Sequence, residues 1–370
     1  MTLTDSPDLR EATLFQPLRL GAIELSNRIV MAPMTRTRTD SSGIPGELIV
    51  EYYRQRASLG LIITEGTYPS FESQAFGGQP GLASDEQAAG WRHVVDAVHA
   101  EGGKIVVQIQ HGGRTAHPDL NGGRRVIAPS PIAIDGQMFM GASGQQFPLP
   151  QEMTSEDIAG AISEFADAAR RAIEAGFDGV EVHAANGYLL HQFLAPSSNV
   201  RTDNYGGSPE NRARFAVEVT KAVVDAIGAD RVGLRISPEH NIQDALEPDH
   251  DDVLATYGTL LDQLRPLGLA YLSVLHAQTD GELIQELQRK FAGKLLVNSG
   301  FFGSPSTSEE SARLVELPFI DGVVVGRAAL ANPDLVDRWK GGHGENEPVN
   351  DLFYATGPEG YTDYPALRDN

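Results

Sequence analysis

The chain has 370 residues, 41% of them hydrophobic, and carries 50 acidic against 29 basic side chains, for a formal net charge of −21 at pH 7. Such a chain can bury a large core, and so acidic a surface repels nucleic acid and anionic membrane, so neither is expected as a partner. It has no cysteine, which excludes disulfides, thiolate nucleophiles, zinc–thiolate sites and cysteine-held iron–sulfur clusters.

The amino terminus, MTLTDSPDLREATLF, is polar and acidic and lacks the apolar stretch of a signal peptide. No window approaches the roughly 18 unbroken apolar residues of a membrane span, so a cytoplasmic location is expected. Arg28–Pro33 is the first short β-rich apolar run and Glu47–Leu59 the first stretch of helical spacing. Leu61–Tyr68 follows, then a helix opened by a capping box of Ser84 with Gln87 and closed near Gly102. Lys104–Gln110 is the third apolar run. The connection after it, Gly112–Gln151, is far longer than usual and reads as a lid or binding loop. Ser155–Ala175 is the clearest helix: Thr154 with Asp157 caps it, and Ile158, Ala161, Ile162, Phe165, Ala168, Ala169, Ala172 and Ile173 mark one face. Gly179–Ala185 comes next, then a helix from the cap Ser208–Pro209 to Ile227. Run and helix then alternate through Arg231–Ser237, His250–Leu267, Tyr271–His276, Gly281–Phe291, Leu295–Gly300, Pro305–Glu316, Gly322–Arg327 and Pro333–Lys340. A glycine- and acid-rich segment, Gly341–Asn370, closes the chain.

Eight apolar runs alternating with eight helical stretches imply an α/β fold, the eight-stranded parallel (β/α)8 TIM barrel, with a long loop after strand 3 and a C-terminal tail. One domain is expected over 1–370, with the barrel at about 28–340. In this fold the chemistry sits where strands end. There the sequence places Thr35, Gly66, Gln108, Gln110, His183, Asn186, Tyr188, Arg235, Ser299, Gly300, Gly326 and Arg327.

Ser299, Gly300, Gly326 and Arg327 occupy the usual phosphate position of such barrels, where glycine lets backbone N–H groups approach an anion. Equally, the glycines could serve only as turns, with Arg327 paired to a helix. Gln108 offers a donor and an acceptor to the edge of a planar heterocycle, and Arg235 suits a ring that becomes anionic on reduction. The alternative for Arg235 is a buried pair with Glu181 or Asp178. His183 and Asn186 can both donate to one oxygen and Tyr188 can donate a proton, although a strand-end histidine is also a common structural group. A metal site would draw on Glu181, His183, His191, His111 or His117, but no ligand spacing supports one, and none is expected.

The segments APMTR (Ala32–Arg36), YYRQRASLGLIITEG (Tyr52–Gly66), VEVHAANGYLLHQFLAPSSNVRTDNYGGSPENRARF (Val180–Phe215), GLRISP (Gly233–Pro238), VVVGRAALANPDLV (Val323–Val336) and EGYTDYP (Glu359–Pro365) resemble the Old Yellow Enzyme family. The resemblance implies an FMN-containing barrel in which NADPH or NADH reduces the flavin and the flavin reduces an activated C=C bond of an unsaturated carbonyl or nitro compound. It places Thr35 at the flavin O4 edge, Gln108 at the pyrimidine edge, Arg235 at the N1/O2 side, and Pro33, Met34 and Gly66 along the ring. Ser299, Gly300, Phe301, Gly326 and Arg327 would hold the phosphate. His183 and Asn186 would bind the substrate oxygen, with Tyr188 the proton donor and Phe76, Gln110 and Tyr354 at the substrate pocket. The expected partner is a small electron-poor alkene, with the protein a monomer or homodimer.

Two positions depart from parts of the family. Gln110 stands where many members have tryptophan, exchanging a bulky wall for a polar, flexible one. Thr35 stands where one branch has cysteine, which points away from that branch and from the iron–sulfur dienoyl-CoA reductases sharing the barrel. The stretch Gly136–Pro150 follows no family pattern. Two other functions fit the residues less fully: a phosphate-ligand isomerase or aldolase on the same barrel, with Glu65 or Glu181 as its base, and a flavin-binding regulator without turnover.

Overall fold

The computed structural model describes residues 11–138, 144–300 and 306–367. Eight parallel strands close into a barrel: β1 (Ile29–Met31), β2 (Leu61–Ile63), β3 (Ile105–Ile109), β4 (Gly179–Ala184), β5 (Val232–Ile236), β6 (Tyr271–Leu275), β7 (Leu295–Asn298) and β8 (Gly322–Val325). Each neighbours the next in chain order, and β8 returns to β1 with Val323 opposite Ile29 and Val325 opposite Met31. The outer layer comprises α1 (Glu47–Gln55), α2 (Asp85–Ala100), α3 (Ser155–Ala175), α4 (Pro209–Ile227), α5 (His250–Leu264), α6 (Glu282–Phe291), α7 (Ser308–Val315) and α8 (Leu335–Gly341). Every strand lies inside a predicted run because both of its faces are buried, which forces near-continuous apolar sequence.

Several bounds differ. The second run stops pairing at Ile63, and beyond it only an isolated bridge, Thr67 to Ile109, joins the ladder, so Gly66 turns toward the barrel mouth. The fifth helix ends at Leu264 and tightens into a 3-10 turn, Arg265–Leu267, that contains Pro266. The Thr154 cap is reciprocal with Asp157 as expected. Ser84 does accept from the Gln87 N–H, but the Gln87 carbonyl takes the N–H of Ala83 instead, so that capping box is half formed. Pro305, the predicted start of the seventh helix, lies outside the described residues.

Inside the barrel the alternation of the pleat separates two zones. Toward the strand starts, Val30, Leu61, Val106, Tyr271, Leu296 and Val324 pack onto Leu18, Leu20, Ile23 and Leu25 of an antiparallel hairpin that plugs that end. Toward the strand ends the inward positions turn polar: Gln108 sits opposite Glu181, His183 opposite Arg235, and Arg235 opposite Ser273. Gly233 belongs to this set through its size, since a Cβ there would lie 2.2 Å from the Tyr271 ring. The apolar end supplies the packing and the polar end opens into a cavity.

Candidate active site

A cavity of about 620 Å³ opens at the strand ends. Its wall brings together Pro33, Met34, Thr35, Gly66, Phe76, Gln108, Gln110, His183, Asn186, Tyr188, Arg235, Ser299, Gly300, Gly326, Arg327 and Tyr354. Of the residues that the resemblance places at the cofactor and substrate, only Phe301 is missing, and it lies outside the described residues.

The floor is a hydrogen-bonded polar set. The Gln108 amide donates to Glu181 Oε1 at 2.8 Å, which leaves its other atom for the cavity. Arg235 donates to Ser273 Oγ at 3.0 Å and Asn298 Oδ1 at 3.1 Å, while its Nε has no partner. Arg235 is thus held by neutral groups. Asp178 is at the opposite end of the barrel, on Lys104 and His99. Burial pulls the Arg235 guanidinium below its ordinary range, opposed by the charge of Glu181, yet arginine remains protonated. A buried cation with an unsatisfied donor facing a cavity calls for an electron-rich ligand edge.

The oxygen-binding wall comes from a turn after β4. Ala185 accepts the Tyr188 N–H at 3.2 Å, and Asn186 and Gly187 between them have φ of +57° and +77°. This is the left-handed pair that Asn-Gly adopts most readily. The turn projects Asn186 and Tyr188 into the cavity beside His183, whose ring centroid lies 5.1 Å from that of Tyr188. Phe76 meets Tyr188 edge-on at 6.1 Å. Burial, with help from Arg235 and His191, holds the His183 imidazole well below its ordinary pKa, so it is neutral, and its Nδ1 has no protein partner. Burial drives the Tyr188 phenol upward against a hydrogen bond with Gln243, so it keeps its proton.

Gln110 lies on the cavity wall as expected. Its side chain is 2% exposed and wedged over Gly66, where a Cβ would come within 2.0 Å of its Oε1. His191 and His111 are structural: each accepts a backbone N–H through Nδ1, from Gly187 and Gly113. Among the described residues no group of three His, Asp or Glu is placed to hold a metal. Glu65 and Glu181, the candidate bases of an isomerase, do not line the cavity; Glu65 instead accepts the N–H groups of Arg36 and Thr37.

The long loop after β3, read from the sequence as a lid or binding loop, reaches the cavity through Ile134, Asp135, Gly136, Gln137, Met138 and Phe147. Two contributors escaped sequence reasoning: Ile242 with Gln243, from the loop after β5, and Phe353. Phe353 arrives on the C-terminal segment, whose backbone is gripped from β1's loop. Arg36 Nε and Arg38 Nη1 both donate to Phe353 O, Arg36 Nη2 to Gly360 O, and Arg38 Nη2 to Leu352 O. The alternation Arg36, Arg38 within TRTR was the available signal for that grip.

The donor set, the unpaired Arg235 Nε and the glycines after β7 and β8 fit a planar heterocycle carrying a phosphate, which is FMN. Residues 13–346 match the model of the NADH:flavin oxidoreductase / NADH oxidase family. The whole barrel is also similar, with a TM-score of 0.90 and 35% identity over 96% of this chain and 100% of the other, to the old yellow enzyme homologue of Zymomonas mobilis. The chain belongs to the Old Yellow Enzyme family. Other family members are equally near. A probable flavin mononucleotide-dependent alkene reductase of Leishmania infantum is 44% identical, covering 96% of this chain and 97% of that one. Morphinone reductase, solved in complex with tetrahydroNAD, has a TM-score of 0.89 and 40% identity over 96% and 97% of the two chains. As an Old Yellow Enzyme this protein is an FMN-dependent oxidoreductase of the alkene-reducing kind, using NADH or NADPH and acting on a small molecule. Among the described residues no helix is long and apolar enough to cross a membrane.

Proposed function

We propose that the chain reduces the C=C bond of α,β-unsaturated carbonyl or nitro compounds, with His183 and Asn186 binding the activating oxygen and Tyr188 delivering the proton. The observation that carries this is the convergence of those three side chains on the same cavity as Gln108 and Arg235. Thr35, Gln108 and Arg235 would take the polar edges of the FMN ring, Pro33, Met34 and Gly66 its length, and Ser299, Gly300, Phe301, Gly326 and Arg327 its phosphate. When bound, FMN supplies the redox chemistry, accepting hydride from NAD(P)H and giving it to the substrate β-carbon.

The chain's own part is orientation and proton delivery. His183 and Asn186 polarise the substrate oxygen, where negative charge develops, and donors fixed in advance stabilise that charge without reorganising. Neutral His183 acts as a hydrogen-bond donor and leaves the acid role to Tyr188. Tyr188 protonates the α-carbon, and Phe76, Gln110 and Tyr354 bound the substrate beside it. One FMN-binding unit spans the chain, its barrel at about 28–340 and its tail at 341–370, and it works in the cytoplasm as a monomer or homodimer without nucleic acid.

An anaerobic absorbance titration tests the function. The flavin band of the purified protein should bleach with NADPH or NADH and return when 2-cyclohexenone is added. A band that stays bleached after the enone overturns the substrate class, and retained yellow colour with no bleaching at all points to a flavin-binding regulator.

A further inference from the structure

The loop after β5 carries an unusual backbone: Glu239, Asn241, Gln243 and Asp244 all have positive φ, at 60°, 42°, 54° and 55°. Outside glycine such backbone is uncommon, with Asn and Asp the side chains that accept it best, and Glu239 and Gln243 persist there only where their surroundings hold them. Gln243 sits at the centre of the strain and against the turn that presents Tyr188. Its amide donates to Asn186 O at 2.9 Å, and a Cβ on Gly187 would lie 2.8 Å from its own Cβ.

Arg114, a fully buried side chain that does not line the cavity, holds this loop at Gln243. It donates from Nη2 to Gln243 O at 2.9 Å and from Nη1 to Ile132 O at 3.2 Å. Its own N–H donates to Gln192 Oε1, and Gln192 in turn donates to Gly187 O at 2.7 Å, on the same turn. A second clasp joins the same loops, with the Asp135 N–H donating to Asp244 Oδ2 at 2.6 Å. Ile134 to Met138 and Gln243 are cavity walls, so Arg114 ties two walls to the acid between them. A guanidinium suits the task because its fixed fork bonds two carbonyls at once.

We infer that Arg114 is a positioning residue for proton delivery: by clamping the Gln243 and Ile132 carbonyls it holds the strained loop and the long loop so that Gln243 aims Tyr188. This inference rests on Tyr188 being the acid. It makes Arg114 matter to the half-reaction that needs a proton, and little to reduction of the flavin.

The test uses the FMN-loaded enzyme with Arg114→Met, Arg114→Lys, Tyr188→Phe and the double variant Arg114→Met with Tyr188→Phe. Reduction by NADPH and reoxidation by 2-cyclohexenone are timed separately, and hydrogen exchange is followed in 132–138 and 239–247. Arg114→Met should slow reoxidation about 10- to 100-fold, no more than the ~10²–10⁴ that loss of the acid itself costs, and change reduction less than about threefold. In the Tyr188→Phe background it should cost less than about threefold more, since residues acting through one another are not additive. Exchange in both loops should rise about tenfold with β4 and β5 unchanged, and Arg114→Lys should recover part of each effect. Additive losses, equal slowing of both half-reactions, or unchanged exchange in the two loops would overturn the inference. If Arg114→Met does not fold, Arg114→Lys carries the same comparisons. If Tyr188→Phe reoxidises at the parent rate, the acid assignment fails and Arg114 has no proton delivery to position.

Discussion

Tyr188 holds its proton far into alkaline pH, because burial penalises the phenolate more than the Gln243 hydrogen bond relieves it. A donor so weak in its resting state is useful only to a strongly basic acceptor, which the α-carbon becomes as hydride arrives at the β-carbon. Tyr188→Phe should therefore lower the rate of flavin reoxidation by 2-cyclohexenone by about 10²–10⁴ and leave reduction by NADPH near the parent value. Stopped-flow absorbance separates the two, and an unchanged reoxidation rate would remove Tyr188 from the acid role. Glu65 makes a different use of burial. Desolvation lifts its carboxyl to about 7, partly offset by the N–H groups and charge of Arg36. With the folded pKa above the unfolded one, the folded state binds the proton more tightly. Its stabilising contribution is then complete below about pH 4.5 and is lost as pH rises through 7, a change of about 3 kcal/mol at ~1.4 kcal/mol per pKa unit. Glu65→Gln should flatten urea stability between pH 5 and 8 relative to the parent, and an identical slope in both proteins would show that Glu65 is not the titrating group.

The turn Ala185–Tyr188 shows how one element can set a site. Gly187 has φ of +77° and no room for a Cβ, which would lie 2.8 Å from both Gln243 Cβ and Ile242 O. Gly187→Ala should cost about 1–2 kcal/mol from the backbone alone, displace Gln243, and lower enone turnover more than it lowers flavin reduction. Loss of stability with both half-reactions equally preserved would show that the turn can shift without moving Tyr188. The turn was legible in the sequence, since Asn-Gly after an apolar run announces it, and so were the strands, whose burial on both faces leaves unbroken apolar runs. Strand ends then located Gln108, His183 and Arg235, because the fold puts chemistry there. What stayed hidden depends on contacts between distant segments. Asn241 and Asp244 are residue types that accept positive φ, but nothing local in NIQD marks the contact that ties this loop to Arg114, 129 residues before Gln243. Phe353 likewise reaches the cavity only because arginines of the first βα loop hold its backbone. Gln110 illustrates a subtler limit: its identity was plain, but its packing over Gly66, where a Cβ would meet it, was not.

At the scale of the molecule the barrel is braced at both ends by chain outside it. The N-terminal hairpin seals the apolar end, and the C-terminal segment is pinned at the mouth by Arg36, by Arg38 and by Tyr361, which stacks on Tyr52 of α1 at 4.1 Å. The hairpin thus closes the far end, the C-terminal segment borders the cavity, and the cavity's occupants, FMN and a nicotinamide dinucleotide, are anions. The protein nonetheless carries a net charge of −21. Arg235 and Arg327 line the cavity, whereas an approaching dinucleotide first meets the long-range field of the whole surface. That field reaches about 30 Å at 10 mM salt and about 8 Å at 150 mM. The apparent second-order rate constant for flavin reduction should therefore rise with ionic strength over that range. The rise should be steeper for NADPH than for NADH, because the additional phosphate adds about 1.5–2 negative charges. Stopped-flow reduction at several salt concentrations, with temperature and pH fixed, measures both slopes. A rate that falls with salt for NADPH alone would mean that cations at the mouth recognise its extra phosphate and outweigh the surface field, and the preferred reductant would then be NADPH.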